Sequence, residues 1–223
     1  MNRLKIAIVG ATGMVGRMFL TVLEERGIDA DYTLFASKKS AGTTVDCFGA
    51  PHVVEELKED SFKDRGFSYA LFSAGGSISE AFAPLAAASG AIVIDNSSCW
   101  RMDPDVPLVV PEVNPHALAS IPKGIVANPN CSTIQAVVPL KALDDAFGLD
   151  RVVYSTYQAV SGAGAEGVSG PRGRALRRVA EEVPASDRGQ LHPSHRRVLG
   201  QRLHQGRAED DRRDAKNPGA SRS

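Results

Sequence analysis

An α/β fold with a doubly wound, mostly parallel sheet is predicted by three features of the sequence. Leu4 to Val9 (LKIAIV) is a short apolar run of the kind a strand covered on both faces produces. Glycines follow at once, at Gly10, Gly13 and Gly16, and then Met18, Phe19, Leu20, Val22 and Leu23 fall at helical spacing. Strand-like and helix-like segments go on alternating along the chain, the order in which helices connect parallel strands. Together these define a Rossmann-type arrangement.

The elements read as follows. Tyr32 to Ala36 is the second strand and delivers the loop Ser37-Lys38-Lys39-Ser40-Ala41-Gly42. Tyr69 to Ser73 and Ala91 to Ile94 are further strands, with SISEAFAPLAAASG as the helix between them. A helix is expected from about Ser132 to Phe147, apolar at Ile134, Val137, Val138, Leu140, Leu143 and Phe147. Pro139 should bend or break it. Arg151 to Ala159 alternates as a strand and runs into Ser161-Gly162-Ala163-Gly164.

Beyond Val168 the composition changes. Residues 169–223 contain no Ile, Met, Phe, Trp, Tyr or Cys, and arginine becomes dense. Such a segment buries too little apolar surface to offset its ordering entropy, so most of it is expected to be disordered. Its acidic residues are interleaved with the basic ones, and no aromatic side chain is present to stack on bases, so nucleic-acid binding is not expected.

The bulk numbers bound the remaining classes. A chain of 223 residues, 43% hydrophobic, accommodates one large domain or two modest ones. Lys plus Arg and Asp plus Glu both total 26, which removes any global argument for nucleic acid or an anionic membrane. No apolar run approaches the roughly 20 residues of a membrane span, and MNRLKIAIVG lacks the features of a secretory signal. A cytoplasmic protein is expected. Cys47, Cys99 and Cys131 are odd in number and widely spaced, which disfavours a disulfide framework and a zinc site. No metal is expected.

The glycine trio permits a tight turn and lets backbone N–H groups approach phosphate oxygens at the positive end of a helix. Its spacing is G-x-x-G-x-x-G, where the usual dinucleotide fingerprint is G-x-G-x-x-G. No acidic residue ends the second strand to hold a ribose 2′-hydroxyl. Ser37, Lys38, Lys39 and Ser40 stand there instead, and hydroxyl and ammonium groups suit a 2′-phosphate, so NADP is favoured over NAD. A solvated basic turn is the alternative reading of that loop alone.

Cys131 lies in ANPNCSTIQA, at the mouth of the predicted helix. A helix N-terminus places partial positive charge beside a thiol and favours its reactive thiolate. Asn130 is placed to cap that helix, and first-turn N–H donors could hold an oxyanion. On the local sequence alone a nucleophile and an inert small hydrophobe are both open.

GATGMVG, ASKKSAG, LFSAGGSIS, VIDNSSCWRMDPDVPLVVPEVNP, ANPNCSTIQ and YQAVSGAG, in this order, resemble the N-terminal half of bacterial aspartate-semialdehyde dehydrogenase. The resemblance covers Met1 to about Gly167. It implies an NADP-binding domain over residues 1–128, the start of an α+β catalytic and dimerisation domain over 129–168, and a tail over 169–223. It also implies NADPH-dependent reduction of aspartyl phosphate to aspartate semialdehyde, in lysine, threonine and methionine synthesis. Cys131 would be the nucleophile, Gln158 would orient the substrate, Arg101 would hold the phosphate and Asn130 would serve the same anion site. The matching cofactor contacts are Gly10, Thr12, Gly13, Met14, Val15 and Gly16, then Ser37, Lys38 and Ser40, then Ser161 and Gly162. Without the resemblance, Arg101 paired with Asp103 or Asp105 and Gln158 as an ordinary strand amide are the simpler readings.

Members of that family exceed 300 residues and carry a catalytic histidine and a carboxylate-binding arginine late in the second domain, where a homodimer also forms. His192, His195 and His204 sit in no matching motif. Reading the codons of residues 192–219 one base later admits IPHIDGSWDNGYTKAEQKMIDETRKIL, which resembles the family's continuation. A frameshift near Val168 to Gly170 is therefore expected, together with little dehydrogenase activity and doubtful dimerisation for the literal chain. N-acetyl-γ-glutamyl-phosphate reductase shares the glycine loop and the cysteine chemistry but differs around the nucleophile. A noncatalytic nucleotide-binding remnant is the other alternative.

Overall fold

The computed structural model of the chain describes residues 3–158 and 177–184, with side chains through residue 156. Seven strands form one sheet in the order β3-β4-β2-β1-β5-β6-β7: β1 (Leu4–Val9), β2 (Ala30–Ala36), β3 (Thr44–Cys47), β4 (Ala50–Glu56), β5 (Tyr69–Phe72), β6 (Ile92–Asp95) and β7 (Ile125–Ala127). All run parallel except β3, which pairs antiparallel with β4 at the edge. Helix α1 (Met14–Glu25) joins β1 to β2, and α2 (Gly76–Ala88) joins β5 to β6.

Two-sided burial explains the apolar runs. Along β1, Ile6 and Ile8 enter the cluster that includes Leu20 of α1, while Ala7 and Val9 enter the cluster that includes Ala83 and Ala86 of α2. Successive strand residues point to opposite faces, so both parities must be apolar when helices cover both. Ile8 and Val9 are fully buried, and each such side chain contributes about 1.5–3 kcal/mol. On the α2 face, Phe35, Phe62, Phe67 and Phe72 form a ring cluster. Arg65 lies over Phe35 and Phe67, 5.4 and 5.2 Å from the ring centres, and forks onto Glu55, which fastens the long loop after β4.

The predicted strands and helices are found with boundaries shifted by one or two residues. The sequence does not announce the β3–β4 hairpin: β3 has only four residues, Pro51 lies within β4, and the turn is made by Phe48 and Gly49 at positive φ. Helix α3 (Cys131–Phe147) runs unbroken through Pro139, contrary to a break there. A proline removes one N–H donor, and the turns on either side hold the helix together. Strand β8 (Arg151–Gln158) pairs antiparallel with β9 (Arg177–Pro184), so a short part of the Arg-rich tail, most of which is expected to be disordered, contributes a strand. In RRVAEEVP the two valines, Val179 and Val183, are four residues apart and so fall on one face of the strand, opposite Thr156 and Val152. The rest of the tail lies outside the described residues.

Candidate active site

Because β1 sits between β2 and β5, the loops leaving the carboxyl ends of β1 and β5 enter helices on opposite faces of the sheet, the arrangement that opens a ligand crevice in such sheets. The glycine turn lies in this crevice. Gly10 adopts φ +86°, and the N–H groups of Gly10 and Ala11 both donate to the Phe35 carbonyl, at 2.9 and 3.1 Å. A Cβ on Gly16 would stand 2.1 Å from the Gly10 carbonyl oxygen, so the first turn of α1 packs directly on the loop. Gly13 is the N-cap of α1 and no side chain caps it. Gly75, the N-cap of α2 on the opposite wall, likewise has no side-chain cap. Backbone donors and the positive ends of two helices thus face one crevice, which fits an anionic dinucleotide.

Met14 and Val15 are exposed in the first turn of α1, and the Thr12 carbonyl accepts from Arg17 Nε at 3.4 Å. Beside them, Ser37, Lys38 and Lys39 are exposed in the turn that leaves β2, and the Ser37 carbonyl accepts from the N–H groups of Ser40 and Ala41. Parallel pairing of β1 with β2 sets this turn at the same edge as the glycine loop. Ser161 and Gly162 lie outside the described residues.

The second half of the site is built from the loops after β6 and β7. Asn130 caps α3, accepting from Ser132 N–H at 2.9 Å, and Cys131 is the first residue of the helix, exposed. The cap engages one of the first-turn donors that were expected to be open to an oxyanion. Arg101 reaches across from the β6 loop. Its Nε donates to the Asn128 carbonyl at 2.9 Å, and its Nη2 donates to the carbonyls of Asn96 (3.2 Å) and Pro129 (3.4 Å). Arg101 is therefore bound to the peptides that lead into Cys131. Asp103 and Asp105, its simpler partners, instead meet Lys123 at 2.6 and 3.7 Å. The Lys123 ammonium and the Asp105 N–H hold the Asp103 carboxyl below its ordinary value.

Several residues that position this half were not singled out from the sequence. Asp95 is fully buried at the end of β6 and accepts from Ser97 N–H and from Ser97 Oγ, at 3.2 and 2.6 Å. Ser97 Oγ in turn accepts from Cys99 N–H, and Trp100 Nε1 donates to buried Ser79 of α2 at 3.0 Å. Asn128 Nδ2 donates to Asn96 Oδ1 at 2.5 Å. Asn96 and Asn128 lie in the DNSS and ANPN stretches, but their pairing depends on β6 and β7 being neighbours.

The three thiols differ in setting. Burial pushes the Cys47 thiol up, with Glu24 and Asp46 adding to the effect. Burial also raises Cys99, followed by the charges of Glu80, Asp95 and Asp103. Only Cys131 of the three is exposed. The backbone of Gln158 ends β8, opposite Arg177 in the register; its side chain lies outside the described residues. No helix among the described residues is long and apolar enough to cross a membrane, and no group of three or more His, Cys, Asp or Glu is placed to hold a metal ion.

A doubly wound sheet whose switch-point loop is a glycine turn between uncapped helix N-termini defines a dinucleotide-binding domain. The family described as semialdehyde dehydrogenase, NAD binding domain, matches residues 5–121, and the chain belongs to that family. An aspartate-semialdehyde dehydrogenase of Aquifex aeolicus is 59% identical over 167 residues, which cover 74% of this chain and 48% of that protein. A stretch of that length cannot fit in 223 residues without including Arg101, Asn130 and Cys131. Among solved structures, aspartate semialdehyde dehydrogenase II of Vibrio cholerae, complexed with ASA, superposes with a TM-score of 0.70 at 46% identity. The match covers 75% of this chain and 50% of that one. The Candida albicans enzyme with NADP gives 0.61 at 27% identity, covering 72% and 52%. The chain spans about half the length of the curated relatives it matches.

Proposed function

We propose that this chain serves the NADPH-dependent reductive dephosphorylation of L-aspartyl 4-phosphate to L-aspartate 4-semialdehyde, with Cys131 as the nucleophile. The observation that carries the reading is the placement of Cys131. It is exposed at the first position of a capped helix, two residues after a peptide that Arg101 grips. A relative 59% identical bears the corresponding enzyme name.

In this reading the Cys131 thiolate attacks the acyl carbon, the bond from that carbon to the phosphate oxygen breaks, and inorganic phosphate leaves, giving a thioester. Arg101 and the positive end of α3 favour the anionic phosphate beside the sulfur. Asn130 holds the helix start, and Gln158 orients the substrate from the end of β8. The residues present fit NADP: the glycine turn at Gly10, Thr12, Gly13, Met14, Val15 and Gly16 takes the pyrophosphate. Ser37, Lys38, Lys39 and Ser40 would hold the 2′-phosphate, and Ser161 and Gly162, outside the described residues, would be further cofactor contacts by the family resemblance. When bound, the reduced nicotinamide supplies the hydride that converts the acyl group to an aldehyde. The Candida albicans relative bound to NADP supports this choice over NAD.

The test is intact-mass measurement after exposure to aspartyl phosphate. One aspartyl acyl group on Cys131, with one phosphate released, is expected, and Cys131→Ala abolishes it. NADP binding without any acyl transfer would overturn the reading in favour of a noncatalytic nucleotide-binding domain. Preferential acylation by N-acetyl-γ-glutamyl phosphate would move the substrate to that class.

A further inference from the structure

We infer that the amide pair Asn96–Asn128 is a positioning device that registers the anion-binding arginine with the nucleophile. The inference rests on the reading of Cys131 and Arg101 just given. Arg101 and Cys131 belong to different loops: the first follows β6, the second follows β7. Parallel pairing of these strands ends with Asp95 opposite Ala127, and one further bond, from Asn128 N–H to the Asp95 carbonyl at 2.8 Å, extends the ladder. Farther along, the β6 loop is tied back to the end of β7 by backbone bonds from Ala127 N–H to the Pro107 carbonyl and from Val109 N–H to the Ala127 carbonyl, at 2.9 and 3.0 Å. Between these anchors, the stretch that carries Arg101 meets the peptides after Ala127 through side chains.

The contacts close a ring. Asn128 Nδ2 donates to Asn96 Oδ1 at 2.5 Å, Arg101 Nη2 donates to the Asn96 carbonyl at 3.2 Å, and Arg101 Nε donates to the Asn128 carbonyl at 2.9 Å. Asn96 is also anchored to β5 through its N–H and the Phe72 carbonyl, at 2.9 Å. Pro129, whose carbonyl is the third acceptor of Arg101, is buried and leads directly into Asn130 and Cys131. A shift of the β7 loop against the β6 loop therefore stretches the amide pair and the arginine contacts together. Both asparagines are part-buried, so an unpaired amide left by removal of its partner keeps little compensation from water. Exchanging both amide orientations swaps donor for acceptor and preserves the bond, so the pair does not depend on which asparagine donates.

The experiment measures alkylation of Cys131 by iodoacetamide in the full chain, by peptide mass mapping, with and without inorganic phosphate as the anion probe. Buried Cys47 reports on the integrity of the fold in the same sample. In the parent protein phosphate is expected to slow labelling of Cys131. Asn96→Ala and Asn128→Ala are each expected to change the unprotected labelling rate, and to raise the phosphate needed for half-protection, by about fivefold. Cys47 stays unlabelled in both. The double variant is expected to be no worse than the worse single one, because each single change already breaks the same bond. Single variants that keep the parent's labelling rate and half-protection, or effects that multiply in the double variant, would overturn the inference. Absence of phosphate protection in the parent protein would refute the anion role of Arg101 instead, and the unprotected rates would still decide the role of the pair. Should one alanine variant expose Cys47, the same cycle with Asn96→Ser and Asn128→Ser decides it.

Discussion

The two halves of the site are made of different material. At the carboxyl ends of β1 and β2 the crevice is shaped by backbone: Gly10 bonds the Phe35 carbonyl, Gly16 leaves no room for a Cβ, and the N-cap of α1 has no side-chain partner. At the ends of β6 and β7 side chains do the shaping, through Asp95, Asn96, Arg101, Asn128 and Asn130. A polyphosphate needs close approach to many N–H donors, which only small residues allow. Chemistry at one sulfur needs a few groups held at fixed positions, and fixed positions require side chains that bond to one another.

This contrast gives graded expectations. The backbone half should fail on adding one methyl. Gly16→Ala sets a Cβ against the Gly10 carbonyl and should cost about 3 kcal/mol in urea unfolding, with loss of NADP binding by calorimetry. Gly13→Ala meets the same oxygen at 3.3 Å and should cost about 1 kcal/mol, so equal losses at the two positions would undo the packing argument.

The side-chain half should fail on changing shape at constant charge. Arg101→Lys keeps the cation but loses the fork that serves three carbonyls, and should destabilise the protein by about 1–3 kcal/mol in the same assay. It should also raise the phosphate needed to protect Cys131 about tenfold. Unchanged protection would show that charge alone suffices there.

The smallest effect concerns the ion pair that ties the Arg101 loop to the entry of β7. Lys123 lowers the pKa of Asp103 in the folded state, so this pair stabilises the fold above the unfolded carboxyl value, about pH 4, and the contribution is lost as pH falls through the folded value. Lys123→Met should lower stability slightly at neutral pH, leave it unchanged below the folded value and so flatten the acid limb of a stability-against-pH profile by that same small amount, since exposed pairs are weak. A flattened limb in Lys5→Met to the same extent would assign the effect to net charge.

The thiols show how far local pattern carries. Cys131 was singled out because Asn130 and the apolar periodicity after it mark a helix start, and the structure begins α3 at that residue. The same residue-level reading left Arg101 with Asp103 or Asp105 as its simplest partners, and both carboxylates turn out to meet Lys123, twenty and eighteen positions along the chain. The β3–β4 hairpin carries no local signature for a related reason. Thr44–Cys47 is too short to show a period, and its strand identity comes from pairing with Ala50–Val53.

Residues close in sequence thus settled the strand–glycine–helix unit, the capped cysteine and the alternation that makes the sheet parallel, because turns, caps and amphipathic periods act over a few residues. Placing Arg101 on the peptides before Cys131, and Asn96 against Asn128, required the sheet. These partners are separated by about thirty residues, and it is the parallel pairing of β6 with β7 that brings their loops to one edge.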